Sequence, residues 1–228
     1  MITLHHLEHS RSQRILWLLE ELGVEYQISH YRRDSKSSLA PQELEAVHPL
    51  GKSPVITDGE VTVAESGAII EYLVEKYDDG TLLPNQGGPE RRAYTYWLHY
   101  AEGSFMPLMI VALILNRIET APQPFFVRPV AKRIAAKVRE SYLATNVSRN
   151  LNFMEATLGK SAWFCGDNIC AADIQMSFPI EAAEVRTSLR EDYPNLAAFL
   201  KRIRARPAYQ RALEMGGPYQ LLGINKRR

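Results

Sequence analysis

Residues 2–23 read ITLHHLEHSRSQRILWLLEELG, and the hydrophobic period changes within them. Over residues 2–6, Ile2 and Leu4 alternate with polar neighbours, which fits a strand. Ile15, Leu18, Leu19 and Leu22 then recur at i, i+3, i+4 and i+7, one face of a helix, and Gly23 stands where a helix stop is expected. Between the two periods lies HSRSQR, residues 9–14. Its S-R-S-Q matches a capping box, with Ser10 at the cap and Gln13 three residues into the helix. The same geometry puts the Ser10 hydroxyl where backbone N–H groups and the helix dipole favour negative charge, so an anion can bind there.

Outward from this stretch, Tyr26 and Ile28 resume a strand-like alternation, and residues 32–38 are polar. Residues 55–63 hold two apolar segments around Asp58-Gly59, a hairpin signal. Ile70, Leu73, Val74 and Tyr77 fall on one helical face. The first part therefore reads β-α-β, a less clear segment, then β-β-α. Residues 78–90, DDGTLLPNQGGPE, concentrate Asp, Gly and Pro without periodicity and read as a connector. The expected division is a first domain over 1–80, a linker over 81–90 and a second domain over 91–228.

No strand is expected beyond the connector. A helix over 91–118 contains Pro107, whose ring meets the carbonyl of Gly103, so a kink is expected. Val127, Val130, Ile134 and Val138 start another long helix that ends near Leu151, Met154 and Leu158. Further helices are expected over 171–186 and 195–204. With Cys170 at a cap position, Asp173 reaches back to backbone donors while Ile169 and Ile174 form a hydrophobic staple, a structural cap.

Composition narrows the function classes. In 228 residues, 27 Lys and Arg against 26 Asp and Glu leave a net charge of +1, so nothing overall points to a nucleic acid or a membrane surface as partner. The terminal KRR reads as a solvated tail. No signal peptide precedes the first strand, so a cytoplasmic location is expected. Residues 105–115, FMPLMIVALIL, fall short of the roughly 20 residues a membrane span needs and read as a buried helix. Cys165 and Cys170, in CGDNIC, match neither a redox pair nor a zinc knuckle and read as mostly buried thiols. His5 and His6 face opposite sides of a strand, and with His9 they lack a carboxylate or cysteine to complete a site, so no metal is expected. Nucleophile elbows, phosphate-binding glycine loops and dinucleotide fingerprints are absent.

Two more features carry chemistry. In Gly51-Lys52-Ser53-Pro54-Val55 the proline either marks a strand boundary or forms a cis turn that exposes the backbone of Ser53, and both readings stay open. In Glu65-Ser66-Gly67, Ser66 reads as a helix cap beside free amides that can hold a carboxylate, and Glu65 can hold an ammonium group. A ligand with both groups, such as the end of an α-amino acid, suits the pair.

These three features, in this order and followed by a helical domain, resemble the glutathione transferase family over nearly the whole chain. SRSQRILWLLEELG looks closest to its microbial serine-type members. The resemblance implies an α/β thioredoxin-like N-terminal domain of β-α-β-α-β-β-α order, with a helix near residues 40–47, plus an all-α C-terminal domain. It makes Ser10, four residues before Arg14, the catalytic hydroxyl. Ser53 and Pro54 become the X-cis-Pro pair that meets the cysteinyl backbone of glutathione, although this X is commonly apolar. Glu65 and Ser66 hold the γ-glutamyl group, and Lys52 contacts the tripeptide. Asp173 is the family's capping aspartate, with Cys170 in place of the usual serine or threonine.

A free thiol has a pKa of about 8.5, and a charge-assisted hydrogen bond of roughly 1.5–3 kcal/mol from serine lowers it by about one to two units. Arg11 and Ser12 are further candidates as thiolate neighbours. Tyr100, Phe105 and Met106 are candidates for the electrophile pocket, with a core role equally open, and GGPYQLLG, residues 216–223, bears on the same pocket. The implied activity is glutathione transfer to small electrophiles in detoxification by a homodimer, with glutathione as co-substrate and no metal. Peroxide or disulfide reduction on the same site, or a non-catalytic scaffold, are the alternatives.

Overall fold

The computed structural model describes residues 1–35, 37–187 and 189–217, with Tyr219 and Leu221. KRR at 226–228 and part of GGPYQLLG lie outside the described residues.

Strands β1 (Ile2–Leu7), β2 (Tyr26–Tyr31), β3 (Val55–Asp58) and β4 (Val61–Ala64) form one sheet in the order β2-β1-β3-β4. β1 and β2 are parallel, Ile2 opposite Tyr26, so the chain crosses over between them through helix α1 (Ser12–Leu22). β3 runs antiparallel to β1, with Ile56 opposite Leu4, and β4 returns antiparallel to β3. The hairpin loop is Gly59-Glu60, because Asp58 still pairs with Val61; Gly59 takes φ +62°, which a glycine adopts without strain. α2 (Ser66–Tyr77) follows. Ile2, Leu4 and Ile56 from the sheet are buried in one cluster with Ile15, Leu18, Leu19, Ile70 and Leu73 of the two helices. Each such side chain contributes about 1.5–3 kcal/mol by leaving water. Gly23, at φ +64°, ends α1 as expected. The helix expected near residues 40–47 is a single 3₁₀ stretch, Gln42–Ala46, anchored by buried Leu44.

The second domain is helical: α3 (Pro89–Tyr100), α4 (Met106–Thr120), α5 (Arg128–Val138), α6 (Ala144–Leu158), α7 (Ala171–Arg186), α8 (Leu189–Asp192), α9 (Pro194–Arg204) and α10 (Pro207–Gly216). The kink expected at Pro107 takes the form of a π turn, Ala101–Phe105, between α3 and α4. Proline has no N–H for the Gly103 carbonyl, and a wider turn makes room for its ring. A second π turn, Arg139–Leu143, joins α5 to α6. The continuous helix Pro89–Thr120 is long and apolar enough to cross a membrane by length and composition, but half of its most apolar window is buried inside the protein, as in a core helix.

α7 is buried on all sides from Ala171 to Ala183. Its start is the expected capping box: Asp173 accepts the Cys170 N–H at 2.8 Å and the Phe164 N–H at 2.9 Å, and Ile169 and Ile174 are both buried beside it. α8 and α10 have no counterpart in the sequence reading. α10 packs on α1, where the Gln13 amide donates to the Ala212 carbonyl at 2.9 Å, Trp17 meets Tyr209 edge-on at 5.3 Å, and Arg206 pairs with Glu21 at 2.5 Å.

Candidate active site

A cleft of about 270 Å³ lies where three segments of the first domain meet. Arg11 comes from the start of α1, His48, Leu50, Lys52, Ser53 and Pro54 from the loop before β3, and Ala64, Glu65 and Ser66 from the junction of β4 with α2. The π turn and α4 close the far wall with Glu102 and Ile110. Six of the residues singled out in the sequence, Arg11, Lys52, Ser53, Pro54, Glu65 and Ser66, are thus brought together.

The Ser53-Pro54 peptide is cis. The Ser53 hydroxyl donates to the His5 carbonyl at 2.8 Å and accepts the Leu7 N–H at 3.2 Å. Serine at a commonly apolar position therefore ties the loop to β1. Among the described residues the Ser53 main chain makes no hydrogen bond of its own, so its N–H and C=O remain available on the cleft.

At the third segment the expected cap is displaced by one residue. Glu65 is the cap, held at φ +73°, and Ser66 is the first helical residue. A non-glycine residue in this left-handed region carries strain that the surrounding structure must hold, a frequent property of functional sites. The first intrahelical bond runs from the Ile69 N–H to the Glu65 carbonyl at 2.9 Å, so the amides of Ser66, Gly67 and Ala68 have no acceptor within the helix. Buried Ser66 stands beside these amides and exposed Glu65 at the rim.

The capping box expected at Ser10 does not form. Arg11 occupies the cap of α1 without a side-chain cap bond, and the Gln13 side chain is drawn away to α10. Ser10 instead accepts the Ser12 N–H at 3.2 Å, and its hydroxyl lies 2.8 Å from that of Ser12. Ser12 continues to His6 Nδ1 at 2.9 Å and the Leu7 carbonyl at 3.2 Å. Ser10 and Ser12 are both buried, and neither lines the cleft. Burial, with His30 and His9 nearby, holds the pKa of His6 down to about 4, so the ring at the end of this chain is neutral at pH 7.

Arg11 and Arg14 converge on Glu102. Arg14 is buried, donates to the Gln175 carbonyl at 2.8 Å and makes a short hydrogen bond to Glu102. Arg11 Nε lies 3.3 Å from the same carboxylate oxygen without the alignment of a hydrogen bond. Both guanidiniums stand over the Phe178 ring, 5.8 and 5.6 Å from its centroid. Burial lowers the Arg14 pKa, and Glu102 opposes that shift. Sequence reasoning missed Glu102, because an acidic residue in a helical pattern reads as surface.

Tyr100, Phe105 and Met106 are packed in the core, Tyr100 bonded to Asn150, and the residues of the continuous helix Pro89–Thr120 that line the cleft are Glu102 and Ile110. His5 and His6 do face apart: His5 Nδ1 meets the Tyr31 hydroxyl at 3.1 Å and His6 meets Ser12. Among the described residues one group of three metal-ligating side chains comes together, Cys165, Cys170 and Asp173, all buried. Both Asp173 oxygens are already engaged in the cap. A larger cavity, about 620 Å³, is lined by Glu181, Arg204 and, from GGPYQLLG, Tyr219 and Leu221; it holds none of the residues predicted to bind glutathione, and neither Tyr219 nor Leu221 lines the cleft.

The arrangement offers an anion seat at the start of α2, a carboxylate for an ammonium group, an unpaired main chain at Ser53, and cations at Lys52 and Arg11.

Known proteins resemble the chain over both of its parts. The family model for the glutathione S-transferase N-terminal domain matches residues 1–75, and that for the glutathione S-transferase C-terminal domain matches residues 122–207. Glutathione S-transferase 1 of Saccharomyces cerevisiae is 34% identical over 222 residues, covering 94% of each chain. Glutathione S-transferase 3 of Schizosaccharomyces pombe is 36% identical over 214 residues, covering 94% of this chain and 87% of its own. The crystal structure of a glutathione S-transferase from Actinobacillus pleuropneumoniae superposes with a TM-score of 0.74 at 31% identity, covering 99% of this chain and 95% of its own.

Proposed function

The chain belongs to the glutathione S-transferase family, and on that premise we propose that it activates the glutathione thiol as a thiolate for attack on an electrophilic small molecule. The observation that carries this reading is the convergence of Ser53, Glu65, Ser66, Lys52 and Arg11 on one cleft. The γ-glutamyl carboxylate takes the free amides and hydroxyl at Ser66, where the start of a helix favours negative charge. Its ammonium group takes Glu65. The cysteinyl backbone pairs with the unbonded main chain of Ser53, and Lys52 holds the tripeptide at the rim.

With glutathione anchored in this way, its sulfur is directed to the start of α1. Only a few per cent of a free thiol is ionised at neutral pH. The Ser10 hydroxyl, buried one residue before cleft-lining Arg11, turns its proton from Ser12 to the sulfur as glutathione enters and supplies one charge-assisted hydrogen bond; the N-terminus of α1 adds a contribution of the same sign. The thiolate then forms a sulfur–carbon bond with the electrophile, whose leaving group departs. Ile110, 40% exposed, offers the cleft an apolar wall for that partner.

The test is a titration of the thiolate absorbance of bound glutathione. Ser10→Ala is expected to raise the thiol pKa by about one to two units; an unchanged value removes Ser10 from the mechanism. A homodimer is the assembly we infer, supported by the apolar side chains that α5 leaves in solvent, Val130 and Ile134 at 58% and 59% exposed. Detoxification in the cytoplasm is the role that fits this chemistry.

A further inference from the structure

Resting on the reading of this cleft as the glutathione site, we infer that Glu102 is a positioning residue for the reaction: it holds the Arg11 guanidinium at the cleft, where that cation favours the thiolate of bound glutathione.

The argument starts from a count of charges. Two guanidiniums meet one carboxylate, so the cluster carries one surplus positive charge. Arg14 is the partner that Glu102 neutralises, since it is buried, hydrogen-bonded to the carboxylate, and held on its other side by the Gln175 carbonyl. Arg11 carries the surplus. It is 3.3 Å from Glu102, its side chain is about a third exposed on the cleft, and its Nε–H is buried without a hydrogen-bond partner. The other titratable groups that share the cleft with this pair, His48, Lys52 and Glu65, lie on other segments, and Lys52 and Glu65 are of opposite sign. An opposite charge within about 4–6 Å stabilises an ionised group by roughly one to three pKa units, a contribution that adds to that of the neutral Ser10 hydroxyl.

Position explains why the carboxylate is needed. A guanidinium on a long, flexible stem at the N-terminal cap of α1 faces solvent unless something draws it back. Glu102 sits on the π turn that Pro107 imposes, across the cleft from α1, and its carboxylate is fixed from behind by Arg14. The Phe178 ring beneath both guanidiniums restricts them further. Arg11 is thus held between the two domains, with a donor left over.

Removing Glu102 separates positioning from simple neutralisation, because the two predict opposite signs. The probe is glutathione itself, with the bound-thiol pKa read by thiolate absorbance and turnover read with 1-chloro-2,4-dinitrobenzene. Arg11→Met is expected to raise the thiol pKa by about one unit and to lower kcat/KM about tenfold below that pKa, with KM for glutathione within about twofold of wild type. Glu102→Gln, which keeps an acceptor for Arg14, is expected to move the pKa in the same direction by about half to one unit. A carboxylate that merely offset positive charge would, on removal, let the pKa fall, and a fall overturns the inference. So does an unchanged pKa in Arg11→Met. Should Glu102→Gln fail to fold by circular dichroism, Glu102→Asp carries the test: its shorter reach is expected to raise the pKa by a smaller amount, and an unchanged or lowered value overturns the inference. The underlying reading fails separately, through a wild type that does not bind glutathione or leaves its thiol at the free value. A depressed wild-type pKa that ignores Arg11 and Glu102 defeats only the present inference.

Discussion

Asp173→Ala removes a fully buried carboxylate that accepts two main-chain N–H groups, from Cys170 at 2.8 Å and Phe164 at 2.9 Å. Hydrogen bonds to a charged group contribute about 1.5–3 kcal/mol each, and alanine leaves both donors buried and unpaired. Against this stands the cost of burying the carboxyl, which pushes its pKa up to about 6 from 3.8. The expected net loss at pH 7 is about 3–4 kcal/mol, or roughly 6–16 °C in Tm for a chain of this length. The assay is urea unfolding followed by circular dichroism, with the slope m checked for constancy.

The sign of the pH dependence is part of this prediction. Because the folded carboxyl binds its proton more tightly than the unfolded one, its contribution is whole below pH 3.8 and is lost as pH rises through 6. Wild type minus variant therefore widens by about 1 kcal/mol from pH 7 to pH 5, and other titrating groups cancel in the difference. A deficit below about 1 kcal/mol at pH 7, or one that narrows toward pH 5, refutes the assignment of Asp173 as the cap that organises α7.

His6 tests the opposite slope. Its pKa is about 4 in the fold against 6.5 ordinarily, so stability is whole above 6.5 and falls as pH drops toward 4, by about 2 kcal/mol at pH 5. His6→Asn should flatten that part of the profile in urea midpoints taken at pH 7 and pH 5. Gly216→Ala places a methyl group 2.6 Å from Gln13 Oε1 and 3.0 Å from Leu16 Cδ2 at the contact of α10 with α1. A loss of about 1–2 kcal/mol is expected by thermal unfolding, and a neutral result means the two helices part easily. Analytical ultracentrifugation is expected to give a dimer at micromolar concentration, and Val130→Glu with Ile134→Glu to shift it to monomer; an unshifted dimer places the interface elsewhere.

The sheet and its two helices were legible because each element announces its own period and end. Ile15, Leu18, Leu19 and Leu22 mark a face, Gly23 a stop, and Asp58-Gly59 a reversal, all local features that tertiary contacts did not override. The cap at Asp173 was legible for the same reason, its partners lying within ten residues. Ser10 and Gln13 show where locality ends. The box they spell was lost because the Gln13 amide found a carbonyl 199 residues away, which no local pattern encodes. Ser66 was misplaced by one position because a left-handed Glu65 carries no sequence mark. Glu102 escaped because its role depends on a π turn and on two arginines from another domain. α8, four residues long, is too short to show a period.

The docking of α10 on α1 also sets an order of events during synthesis. The sheet and α1 leave the ribosome early, yet one side of Trp17 and Leu16 has no cover until residues 207–216 are made. At about 5–20 residues per second, that wait is on the order of ten seconds. For that time the nascent first domain presents a greasy flank to the cell's holding proteins, and the last helix to be translated is the one that releases it.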